Sequence, residues 1–269
     1  MQKNRSKKPA VQEVHKPILT GSWHGKDAYR MGRKLMISVL LVSIMYLVVG
    51  IMLSFDNVII RALLATALVG ASAAYLYSMG MKDGETDAAF AEIAYVRESE
   101  GIALSASERE RCFHPGKGFF AVLVGVLPFM VLAIGFACIA TRSEYTLGGL
   151  PGWLHESMRQ NEFADALQYY VARPGIGWVD IYRIVVRSMV MPFVNVFVMV
   201  GEQAVLWVER LSPVLLCVAP LGYGFGYRMG LEARVRINTG ILIADKRKKR
   251  KERKERKRRQ RSEAPKRLI

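Results

Sequence analysis

Apolar residues in this chain are pooled in blocks. They do not alternate with polar residues, and they do not recur at a surface-helix period. Residues 35–55, 58–79, 119–140 and 211–227 form stretches of 17 to 22 residues that are almost wholly apolar. As helix, each is close to the length that crosses a bilayer's hydrocarbon core. A fifth apolar region, 181–208, is interrupted by Arg183, Arg187, Pro192, Asn195 and Glu202. The pattern predicts an all-α integral membrane protein with four transmembrane helices and one interfacial or re-entrant apolar helix. Five spans is the alternative.

Charge decides between the two counts. The chain has 269 residues, with 39 Lys and Arg against 23 Asp and Glu, a net charge of +16. Most of the excess sits at the ends. Residues 1–34 carry Lys3, Arg5, Lys7, Lys8, Lys16, Lys26, Arg30, Arg33 and Lys34 against Glu13 and Asp27. Near the other end Lys246, Arg247, Lys248, Lys249, Arg250, Lys251, Arg253, Lys254, Arg256, Lys257, Arg258, Arg259 and Arg261 follow one another almost without interruption. Short basic flanks stay in the cytoplasm, so both termini belong there and the number of crossings is even. Five spans would put the second basic run outside. A charge at a helix centre costs about 2.5–3.5 kcal/mol on insertion scales, so 181–208 is the weaker candidate for a span.

The resulting plan runs in order. A basic cytoplasmic segment, 1–34, leads into a transmembrane hairpin, 35–79, with its external turn at Asp56-Asn57. An acidic cytoplasmic loop, 80–117, follows, then a third span, 118–140, kinked at Pro128. Residues 141–210 form an external loop. It holds an amphipathic helix over 161–172, with Phe163, Leu167 and Tyr170 on one face, and the re-entrant segment bent at Pro192. The fourth span is 211–229, and 230–269 is the polybasic tail. The long basic lead-in and long first span read as an uncleaved signal-anchor, and a bacterial plasma membrane is the expected location. Arg61, in the first turn of span 2, reads as an interfacial anchor beside Asp56.

Two features suggest contacts. Ala62, Thr66, Gly70, Ala74 and Ser78 recur every four residues, a small-residue stripe that admits a close helix neighbour in lipid. Span 1 is the natural partner, and a homo- or hetero-oligomer is the other. Within the cytoplasmic loop, 87–98 has a helical pattern and Ser105 to Glu108 has capping-box spacing. Its acidic residues, Glu108 and Glu110 among them, invite a contact with the basic tail.

Chemical motifs are sparse. Cys112 and His114 lack a second pair of metal ligands. His155-Glu156 starts a zinc-protease pattern, but Arg159 stands where the second His belongs. Gly222, Gly224 and Gly226 in GYGFG resemble a channel filter only in letters, because no further span follows, and close helix packing explains them better. Cys112, Cys138 and Cys217 form no disulfide framework. No catalytic constellation, cofactor or metal site is expected.

Two functions follow. The first is a non-enzymatic scaffold or accessory subunit whose tail docks anionic lipid, RNA or the ribosome, or an acidic protein. The tail lacks aromatics for base stacking, so a nucleic-acid grip would be sequence-blind. The second is a transporter or channel component with Arg187, Asn195, Glu202 and Glu209 lining a path near the broken helices.

Overall fold

The computed structural model describes residues 14–52, 55, 57–141 and 177–263. The predicted helix over 161–172, Asp56 and half of the external loop, residues 142–176, lie outside them.

Seven helices make up the described residues: α1 (Lys26–Met52), α2 (Val58–Ser99), α3 (Ala106–Arg111), α4 (Lys117–Ile139), α5 (Trp178–Met189), α6 (Met191–Phe197) and α7 (Glu202–Glu263). No strand occurs among these residues. Four helices, α1, α2, α4 and α7, are long and apolar enough to cross a membrane. Their ends have local causes. Asn57 caps α2, its Oδ1 accepting from the amides of Ile59 and Ile60 at 2.9 and 3.3 Å. Ser105 and Glu108 close the expected capping box on α3.

In space the long helices run α1, α4, α7, α2. The expected hairpin of 35–79 is therefore not a packed pair along its length. Near the α1–α2 turn, α6 wedges between them: a Cβ on Gly50 would meet Met191, and Asn195 Nδ2 donates to the Gly50 carbonyl at 2.7 Å. Further along, Tyr46 hydrogen-bonds Ser72 and Lys34 pairs with Asp83. Val14 N–H donates to Thr239 Oγ1, so the N-terminal segment and the distal part of α7 share one end of the bundle. We call it the basic end.

Three expected boundaries move. Residues 80–117 are not a loop in their first half, because α2 continues unbroken to Ser99. The sequence turns polar at 80, yet nothing there breaks a helix, and its acidic side chains find partners on α1, α4 and α7. The fourth long helix starts at Glu202 instead of 211, and it has no end at 229. The buried Glu209 that marked a boundary in the sequence is neutralised by arginines. Residues 181–208 divide among three helices. α5 and α6 meet at Val190, two residues before Pro192, and Pro192 serves as an early residue of α6. Tyr182 and Arg183 reach the far end of α4, while Met189 joins the same core as Leu35, Val39 and Leu216. The α5–α6 pair thus dips from the end opposite the basic one to mid-bundle and returns.

The tightest interface is α2 against α7. A Cβ on Gly226 would run into the Tyr77 carbonyl oxygen, and one on Gly80 into that of Tyr223. Only glycine lets the two backbones approach so closely. This face is not the predicted stripe. Thr66, Gly70 and Ala74 are exposed, and a Cβ on Gly70 would meet open space. The glycine pattern of GYGFG is close packing within α7: Gly222 lies against Ala73 and Gly224 against the Phe119 ring.

Long aliphatic side chains stay on the outside. Ile37, Leu41, Ile44, Leu127, Val131 and Val214 are all at least half exposed. A band of this kind is unusual for a water-facing surface.

Candidate functional site

At the basic end the sequence places one lysine where the long helices converge. Lys117 is the first residue of α4 and is 1% exposed. Its Nζ donates to Asp27 Oδ2 at 2.6 Å and Asp87 Oδ2 at 2.8 Å, and to the carbonyl of Glu110 at 3.0 Å. Asp27 lies in the first turn of α1 and also holds Arg30 at 2.6 Å. Asp87 receives the Tyr227 hydroxyl at 2.7 Å, and one helical turn earlier Asp83 receives Tyr223 at 2.9 Å and Lys34 at 3.0 Å. Three cations, Lys34, Arg30 and Lys117, and three carboxylates therefore lie in one layer that ties α1, α2, α4 and α7 together. Every charge in it has an opposite partner, as burial requires.

A second layer lies beyond it. Glu92 on α2 accepts from Asn238 at 2.6 Å and Arg234 at 3.1 Å on α7, and Lys16 stands at 3.9 Å. The expected contact between the acidic region and basic residues is thus made by Glu92 to Arg234, ahead of the polybasic run. Glu108 and Glu110 are used elsewhere. Glu108 caps α3 and meets Arg97 at 3.4 Å, while Glu110 accepts from the Lys26 amide at 3.1 Å. Hydrogen bonds from the Ser105 amide and hydroxyl hold the Glu108 carboxyl below the usual carboxylate range.

Past Thr239, α7 continues as helix to Glu263. Residues 246–259 are exposed, and twelve of the thirteen predicted tail cations stand on this stretch. Arg261 lies within α7, beyond the last side chain described. The tail is therefore a direct extension of a long helix that is clamped to α2 for much of its length.

At the opposite end the four residues of the expected path separate. Arg187 and Glu209 come together: Nε lies 2.6 Å from Oε1, with Arg183 Nε at 3.3 Å from the same oxygen. Glu209 is 2% exposed and Arg187 half-buried, so the carboxylate meets its cations inside the protein. Asn195 instead bridges α1 and α2, its carbonyl accepting from Arg61 Nη1 at 3.2 Å. Glu202 is an exposed residue of the first turn of α7. Arg61 is buried and points inward, its Nε donating to the Phe55 carbonyl at 2.7 Å, so it is a structural clamp and not an interfacial anchor. Where α5 turns under α1, a cavity of about 20 Å³ is lined by Val39, Ser43, Tyr46, Met189 and Leu216, room for about one water.

Cys112 and His114 are engaged separately. Cys112 Sγ donates to the Glu108 carbonyl at 3.4 Å, and burial pushes its thiol up. His114 Nδ1 accepts from the Gly116 amide at 3.1 Å. Among the described residues no three His, Cys, Asp or Glu side chains come together as metal ligands.

Sequence reasoning marked Asp27, Asp83 and Asp87 only as charges in a loop or flank, and it passed over Lys117. A lysine directly before an apolar run, with Tyr223 and Tyr227 a helical turn apart at the end of another, was the available signal. Comparison with protein-family models, with curated proteins and with solved structures gives no match to this chain.

Proposed function

We propose that this chain is a multi-pass plasma-membrane protein of bacterial type that works as a non-enzymatic scaffold or accessory subunit. Its basic end faces the cytoplasm, and its polybasic helix docks a polyanionic partner. The outward band of aliphatic side chains supports membrane embedding, since lipid is the solvent such a band suits. The α5–α6 pair then enters the bilayer from the outer side as a re-entrant hairpin. Positive flanks on one end support a cytoplasmic placement of both termini.

One observation carries the docking role. The cations of 246–259 are solvent-exposed on a helix continuous with α7, whose packed part is fixed to α2 at backbone contact and by Glu92. A charged segment mounted in this way presents its charge outward and does not fold back over the protein. Deleting 246–269 from the protein in lipid nanodiscs and measuring polyanion binding at low salt is the direct test. Loss of binding is expected, and undiminished binding would remove the docking role.

A further inference from the structure

We infer that the partner of the basic helix is duplex RNA, held clear of the lipid headgroups. The inference rests on the docking reading above. Its first support is distance. The charged layer of Lys34, Asp83 and Tyr223 marks where the apolar zone ends on the basic side. Lys246 follows Tyr223 by 23 residues on the same helix, a rise of about 34 Å. A headgroup layer takes up only about 5–8 Å of that. A tilt of 40°, the steep end for membrane helices, still leaves the first tail cation about 20 Å beyond it. The attraction of an anionic leaflet fades over a Debye length, about 8 Å at physiological salt.

The helix cannot readily lean over to recover that attraction. No proline follows Pro220 in α7, and the helix runs through Gly240 unbroken. Glu92 grips Arg234 and Asn238, and Thr239 holds the Val14 amide, so the base is braced to within seven residues of Lys246.

Charge density is the second support. Thirteen cations and two glutamates fall within residues 246–261, which as helix span about 24 Å, or one net positive charge per about 2.2 Å. Duplex nucleic acid carries one phosphate per about 1.7 Å of its axis. A folded acidic protein rarely sustains such a row. Between Lys246 and Arg259 every residue is Lys, Arg or Glu. Across 246–261 Gln260 is the one amide side chain, and the stacking aromatics that grip single strands are missing. What remains is recognition through phosphate and shape, the mode by which duplex RNA is bound.

The test uses the full chain in nanodiscs of neutral and of anionic lipid, with a labelled mixed-sequence RNA duplex. Companion variants lack 246–269 or carry a Gly-Ser hinge inserted after Ile243. The intact protein should bind RNA equally in both nanodiscs, and deletion should weaken binding by about 100-fold or more at low salt. With roughly six cations facing one duplex, log affinity should fall against log salt with a slope of about −5. Trypsin should cut the intact tail equally fast in both nanodiscs, whereas anionic lipid should shield the hinged tail.

If anionic lipid shields the intact tail, or if duplex DNA or an acidic peptide of equal charge binds more tightly than RNA, this inference fails while docking stands. If deletion leaves binding to every polyanion unchanged, docking itself fails.

Discussion

Tyr227 and Lys117 donate to one and the same oxygen, Oδ2 of Asp87, at 2.7 and 2.8 Å. Three long helices, α2, α4 and α7, meet at that atom, and Asp27 brings in α1 through the same ammonium. The layer supplies specificity of docking among helices that are uniformly apolar nearby. In lipid, apolar surface alone does not tell one helix neighbour from another.

Replacing Lys117 with Met should therefore destabilise the fold strongly. It leaves Asp87 buried without a cation and Asp27 with Arg30 alone, a loss on the order of 3–5 kcal/mol. Tyr227→Phe removes one hydrogen bond to a charged group and should cost about 1.5–3 kcal/mol. Combining Lys117→Met with Asp87→Asn should cost less than the separate losses added together. Denaturant unfolding in detergent reads all three.

The glycine seam between α2 and α7 and the exposed small-residue row of α2 make opposite predictions. Gly226→Val pushes a side chain into the Tyr77 carbonyl across the α2–α7 contact and should lower stability by at least about 1–3 kcal/mol. Gly70→Ala meets open space and should stabilise the helix by up to about 1 kcal/mol. Thermal unfolding of the two variants side by side checks the contrast. A change of oligomeric state with Gly70→Leu would assign the exposed stripe to an interface between chains.

Glu108 gives a pH signature. Its carboxyl is held below the ordinary range by Ser105, so the capped form is favoured above the unfolded pKa. That contribution is lost as pH falls through the lower folded pKa. Hydrogen exchange of the α3 amides should accordingly speed up on acidification, and Ser105→Ala should shift the onset to higher pH.

Cysteine labelling tests the sidedness. Gln203 is exposed at the end opposite the basic helix. In intact cells, Gln203→Cys should react with an impermeant maleimide, while Lys254→Cys should react only after lysis. Native Cys112 is fully buried with its thiol pushed up by that burial, and it should stay unlabelled at neutral pH until the protein is denatured.

Most of the apolar architecture was legible from the sequence, because a run of about twenty apolar residues has few alternatives. The helical pattern over 87–98 and the Ser105–Glu108 box were local signals and stand in the structure. What the chain did not disclose depends on partners distant in sequence. Asp83 and Asp87 read as loop charges because Lys34, Lys117, Tyr223 and Tyr227 come from other helices. Arg187 and Glu209 read as path residues or boundaries because each charge looked isolated, yet each neutralises the other. The small-residue period pointed to Gly70, while the working contact used Gly80 and Gly84, just past the assumed end of the span.

Helix α7 joins the buried Glu209 to Lys246 along about 55 Å of unbroken backbone. Axial load on the tail would enter this rod first at Thr239, Asn238 and Arg234, where it is tied to Val14 and Glu92. Pro213 and Pro220, each missing a backbone donor, are its two compliant joints. The rod is clamped on the tail side of both joints by Glu92 and the glycine seam, so load from the tail is borne by the α2 contact before either proline has to flex.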